Sequence, residues 1–133
     1  MWPLKAHPHN AAKILGFAAA GADRDIIAAV AQSSAVPLAL SSTLKQDLVT
    51  DAAVVILDRD LVEIDWRAAV RTLVTSKRHP CVILLSSVVD DYLFEELVKQ
   101  GGFDVVAKPI RADELKRVLK LALSFWRNRR ATG

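Results

Sequence analysis

Short apolar runs alternate along this chain with longer amphipathic stretches. Lys13–Ala18, Val36–Leu40, Ala53–Leu57, Cys81–Leu85 and Asp104–Ala107 are apolar nearly throughout rather than at every second position, the pattern of strands covered on both faces. Five such runs predict a parallel sheet. Pro37 cannot donate to a ladder, which places the second strand at an edge. Between the runs, helical spacing appears in Asp23–Gln32 through Ile26, Ile27 and Val30, and in a segment opened by Asp65 or Trp66 through Trp66, Ala69, Val70, Leu73 and Val74. It recurs in Asp91–Gln100, stopped by Gly101-Gly102, and in Ala112–Arg127. The second connection is the weak one: Thr43–Leu48 is worth a turn or two, capped by Ser41, Ser42 or Thr43. Strands joined by single right-handed helical crossovers form an α/β, doubly wound, three-layer domain.

Composition narrows this picture. A chain of 133 residues, 52% hydrophobic and 25% charged, has the size and apolar content of one packed domain. The reading assigns residues 12–127 to that domain, 1–11 to an N-terminal arm and 128–133 to a basic C-terminal tail. Cys81 is the only cysteine, which excludes an internal disulfide or a multi-cysteine zinc site and fits a buried thiol in a reducing compartment. No apolar stretch reaches the roughly 18 residues of a membrane span, and the first ten lack the apolar centre of a signal peptide, so a cytoplasmic protein is expected. The net charge of +3 is unevenly placed. Beyond Glu114 stand Lys116, Arg117, Lys120, Arg127, Arg129 and Arg130 with no acid, so the body is slightly acidic and the end basic. Such a run complements a helix dipole or steers an acidic partner. No DNA-binding module fits after Trp126, and direct DNA binding is not expected.

Doubly wound sheets gather their chemistry at the carboxyl ends of the strands. Here the third run ends in Asp58-Arg59-Asp60, the fourth in Ser86-Ser87 and the fifth in Lys108-Pro109. A carboxylate, a hydroxyl and an ammonium at one edge suit phosphoryl chemistry: the carboxylate as nucleophile, the hydroxyl as donor to a phosphoryl oxygen, the ammonium as counter-charge.

From about Ala12 to Trp126 the chain resembles the receiver domains of two-component response regulators. AVVILDRDLVEIDW is similar to that family's third strand and loop, VILLSS to its fourth strand, and GGFDVVAKPI to its fifth with the lysine-proline pair. The resemblance implies a flavodoxin-like (βα)5 fold with strand order 2-1-3-4-5. It also implies Asp58 as phosphoacceptor, Ser86 as the hydroxyl and Lys108 as the lysine, with Mg²⁺-dependent transfer from a histidine kinase or phosphotransfer protein and a downstream protein partner. Three departures stand against full activity. Ala18 and Ala19 occupy the places of the acidic pair that holds Mg²⁺, which leaves Asp58 and Asp60 as the metal candidates of a weak or absent site. Val62 and Trp66 replace the usual Pro and Gly, and Val105 replaces the aromatic that reports phosphorylation.

Two functions stay open on this reading: inefficient phosphorylation of Asp58, or a pseudo-receiver that binds protein without it. The same Asp-Arg-Asp loop also resembles that of haloacid-dehalogenase-like phosphatases, but only Asp113 and Glu114 follow Lys108 as acids and 57 residues precede Asp58, so an enzyme is not expected. In the last helix the apolar arc is roughly 200° wide, about twice what packing on a sheet requires. Either the arm, with Trp2 and Leu4, covers the excess, or Leu121 and Phe125 face a partner or a second copy. In a homodimer Lys116, Arg117 and Lys120 would reach acids such as Asp104 or Glu95 across the two-fold axis.

Overall fold

A computed structural model describes residues 12–42, 51–61 and 65–132. Five parallel strands, β1 (Ile14–Phe17), β2 (Leu38–Ser41), β3 (Val54–Asp58), β4 (Cys81–Ser86) and β5 (Asp104–Ala107), form one sheet of order β2-β1-β3-β4-β5. Among the described residues four α-helices connect or follow them: α1 (Ala22–Ser33), α2 (Trp66–Val74), α3 (Asp91–Lys99) and α4 (Ala112–Thr132). This is the flavodoxin-like topology. The weak helix at Thr43–Leu48 and the arm with Trp2 and Leu4 lie outside the described residues.

The central strands serve two cores because their side chains alternate between faces. Val54 and Ile56 pack with Ile83 and Leu85 under α1 and α4, whereas Val55 and Leu57 pack with Val82 and Leu84 under α2 and α3. β2 starts two residues later than expected and runs one further. Pro37 has no N–H to give, but its carbonyl accepts from Ile14 at 2.9 Å, and Ser41 closes the pairing by accepting from Ala18 at 3.1 Å. The strand is at the sheet edge, as the proline requires.

Local signals set the helix ends. Asp65 caps α2, its side chain accepting from Arg67 N–H at 3.1 Å, and Asp90 caps α3 through Leu93 N–H at 2.8 Å. At the other end of α3, Gly101 adopts φ +91°, and the Gly101 and Gly102 amides return to the Val98 and Leu97 carbonyls, both at 2.9 Å. This double closure needs a residue at ease with positive φ. A Cβ on Gly102 would lie 2.2 Å from Leu97 Cδ1, so the second glycine is required by packing.

α4 continues to Thr132, so the segment 128–132, read as a tail from its charge, is helical. Leu115, Val118, Leu119, Ala122, Leu123 and Trp126 are buried, each large aliphatic member contributing roughly 1.5–3 kcal/mol. At the amino ends of the strands Trp126 locks this helix down. Its indole N–H donates to the Arg78 carbonyl at 3.0 Å, and the Arg78 guanidinium lies over its ring at 4.9 Å while donating to the Asp51 carbonyl at 3.2 Å. Arg129 hydrogen-bonds the His79 carbonyl. Cys81 begins β4 beneath the same helix, its thiol directed at the Ala122 carbonyl at 3.6 Å and pushed up in pKa by burial.

Candidate functional site

At the carboxyl edge the chain turns sharply after β3. Asp60 N–H donates to Asp58 Oδ1 at 2.9 Å, which folds Arg59–Leu61 into one 3-10 turn. The turn presents a second carboxylate beside the first. Lys108 enters from the end of β5, its backbone N–H donating to the Ser86 carbonyl at 2.9 Å, and its Lys108–Pro109 peptide bond is cis. Its ammonium lies 2.9 Å and 3.1 Å from the two oxygens of Asp58 and 2.8 Å from Asp60 Oδ2.

Burial opposes the charge on Lys108, but its hydrogen bonds to Asp60 and Asp58 outweigh that and hold the ammonium above its ordinary pKa. The same hydrogen bond from Lys108 holds Asp60 below the usual carboxylate range, against a smaller opposing effect of burial. Asp58 itself is only 5% exposed. A carboxylate so enclosed requires the cation that faces it.

Ser86 ends β4 at this edge, where the sequence puts it. Its hydroxyl donates to the Val88 carbonyl at 2.7 Å and accepts from Val88 N–H at 3.2 Å, so its proton is used locally. Ser87, which the sequence reading did not single out, donates instead to Asp60 Oδ2 at 3.2 Å. Arg59 was also missed. Its Nη1 reaches Ser86 Oγ at 3.3 Å and its guanidinium lies 5.9 Å from the Trp66 ring centre, so two cations and two carboxylates meet at this edge. The available signal was its position between two aspartates at a strand end.

Mg²⁺ requires a near-octahedral shell of oxygens. Ala18 is fully buried at the end of β1 and brings no oxygen ligand in its side chain, and Ala19 beside it brings none either. The Asp58 and Asp60 carboxylates are both engaged by Lys108. Among the described residues no group of three His, Cys, Asp or Glu side chains gathers as metal ligands. The donor set does not fit the ion. The acids needed by the phosphatase reading are not drawn in either: Asp113 is exposed and pairs with Arg111 at 3.8 Å.

Outside this edge, Leu121 and Phe125 are half exposed, as are Phe94 and Val98 on α3. Phe125 is partly covered by its own chain, with Phe103 at 5.8 Å between ring centres and the Arg129 guanidinium at 5.5 Å. Lys116 and Lys120 line a groove beside Ser34 and Val36, and helical spacing puts them on the side of α4 away from Phe125. Of the three cations expected to reach acids across a two-fold axis, helical spacing puts Arg117 nearest the apolar patch. No described helix is long and apolar enough to cross a membrane.

No family model matches the sequence, and no curated protein matches it either. Solved structures do. The chemotaxis response regulator CheY4 of Vibrio cholerae superposes with a TM-score of 0.73 at 15% identity, over 86% of this chain and 100% of its own. NtrX of Brucella abortus gives 0.77 at 22% identity, over 92% of this chain but 29% of its own. A response regulator of Thermotoga maritima gives 0.72 at 18% identity, covering 86% and 98%. With the strand order and the strand-end residues above, this chain has the fold of a response-regulator receiver domain.

Proposed function

We propose that this chain is a receiver-fold signalling module that binds a protein partner without needing phosphorylation. One observation carries the reading: Lys108 is already held by two carboxylates of its own chain, Asp58 and Asp60. In phosphoryl transfer the lysine would neutralise charge developing on the incoming group. Here Asp60 supplies that anion internally, and the Ser87 hydroxyl donates to it as it would to a phosphoryl oxygen. With alanines at positions 18 and 19, no divalent charge offsets an approaching phosphate, so transfer to Asp58 is slow or absent.

Output then rests on surface rather than chemistry. The exposed apolar side chains of α3 and α4 flank the edge strand β5, and the partner is a downstream protein or a second copy of the chain. The enclosed Asp58 with Lys108 at 2.9 Å also supports the older role, acceptance of phosphate from a histidine kinase or phosphotransfer protein. One experiment separates the two. Incubation with acetyl phosphate and Mg²⁺, followed by intact-mass measurement, is expected to give no phosphoryl adduct. Rapid Mg²⁺-dependent labelling that disappears in Asp58→Asn would overturn the proposal and establish a working phosphoacceptor.

A further inference from the structure

A groove of about 460 Å³ lies between the end of α1 and one side of α4, away from the carboxylate edge. That volume falls in the range of small-molecule sites. Its floor is apolar and buried, formed by Leu123 and Val36. Lys116, Lys120 and Arg127 stand along one wall, and no acid lines the groove. Among the described residues these three cations form no ion pair, and neither does Arg117 on the same helix, but they alone are gathered along a groove.

Helix-dipole compensation does not account for the cluster. That effect is confined to the last turn, but α4 ends at Thr132 and Lys116 lies near its start, where a cation is unfavourable. The carboxyl end of α1 does not need them, because Ser34, Ala35 and Val36 N–H groups already donate to its Val30, Gln32 and Ala31 carbonyls. The arrangement instead fits an anion with a flat apolar part. Lys116 and Lys120 are one turn apart, and Arg127 is a further 10 Å or so along the helix at 1.5 Å per residue, roughly the length of a nucleoside diphosphate.

The geometry points to a nucleoside di- or triphosphate in this groove, its phosphates at Lys116 and Lys120, its base over Leu123 and Val36 against the Arg127 guanidinium. Guanidinium stacks on planar rings, and ammonium serves phosphate as a point charge. The Ser34 hydroxyl from the end of α1 and the Ser124 hydroxyl from α4 are available as hydrogen-bonding groups on the two sides of the groove. A partner helix, 10–12 Å across with its side chains, is too wide for a floor of two apolar residues.

Titration calorimetry of the full chain with ADP, and with inorganic pyrophosphate as comparator, tests this. Saturable one-to-one binding of ADP is expected, at least tenfold tighter than pyrophosphate. Lys116→Glu/Lys120→Glu is expected to weaken ADP tenfold or more. Arg127→Gln should weaken ADP while leaving pyrophosphate unchanged, and Lys77→Ala, an exposed cation away from the groove, should alter neither. All these side chains are exposed or edge-placed, and circular dichroism verifies the fold of each variant. No saturation at millimolar ADP or ATP, equal affinity for pyrophosphate, indifference to the double substitution, or loss of binding in Lys77→Ala would each overturn the assignment. So would binding of duplex DNA or an acidic peptide through these cations with no response to ADP.

Discussion

The two ends of the sheet each enclose a cation, and they surround it by different means. At the carboxyl edge Lys108 is met by two carboxylates, a set of formal charges that responds to pH, salt and any arriving anion. At the amino edge Arg78 is met by the Trp126 ring and by the Asp51 carbonyl, its Nε and Nη2 find no hydrogen-bond partner among the described residues, and the Lys13–Asp51 ion pair beside it is exposed. The first end is held by charge. The second is packed, and it ties α4 to the turn before β4. Stability and function are thus separated along the strand axis: a change at the amino edge should unfold the domain, a change at the carboxyl edge should retune it.

Trp126→Ala is the sharpest way to break that contrast. It empties a large buried site and removes the bond to the Arg78 carbonyl, so a loss of about 3–5 kcal/mol is expected in urea unfolding. A smaller effect is expected at the other end. Lys108→Met leaves Asp58 enclosed without its cation, which costs about 2 kcal/mol after allowance for partial exposure of the pair. Adding Asp58→Asn to Lys108→Met should restore most of the loss. If the double variant is as unstable as the single one, packing rather than charge holds this edge.

The pH profile tests the same division. Asp60 is held below its ordinary value of 3.8 by Lys108, so its contribution is complete above that value and is lost as pH falls through the lowered one. Lys108 is held above its ordinary 10.5, so its contribution is complete below 10.5 and is lost as pH rises through the raised value. Asp60→Asn should flatten the acid side of a plot of melting temperature against pH, while Trp126→Phe should lower the whole curve without changing its shape. The smallest effect on stability is expected from Phe125→Glu, within about 0.5 kcal/mol because the ring is half exposed. The same variant should abolish any self-association through α4, read by light scattering at tens of micromolar.

Much of this was legible in the chain because the relevant signals are local or periodic. Runs such as CVILL identify doubly covered strands, Gly101-Gly102 ends α3, and the stripe through Leu115 and Trp126 orients α4. The pairing of Asp58 with Lys108 followed from topology, since both stand at strand ends on one edge. The alternative bonding of Ser86 did not, because a serine beside a turn satisfies itself locally whenever the next carbonyl lies within reach, and sequence does not reveal that backbone path. Arg78 was equally hidden. Its burial depends on where Trp126 arrives, 48 residues later, and by composition it reads as one more exposed charge in Ser76-Lys77-Arg78.

Cys81 gives the molecule a built-in clock. It is the only thiol in the chain, it sits 5% exposed beneath α4, and burial suppresses its thiolate form. A thiol reagent therefore modifies it only when α4 lifts from β4 or the whole sheet opens. With reclosing fast relative to modification, the labelling rate divided by that of an unstructured thiol is the equilibrium fraction open. The domain's resistance to opening is thus written in the reaction rate of one sulfur atom, measurable in native buffer with no denaturant.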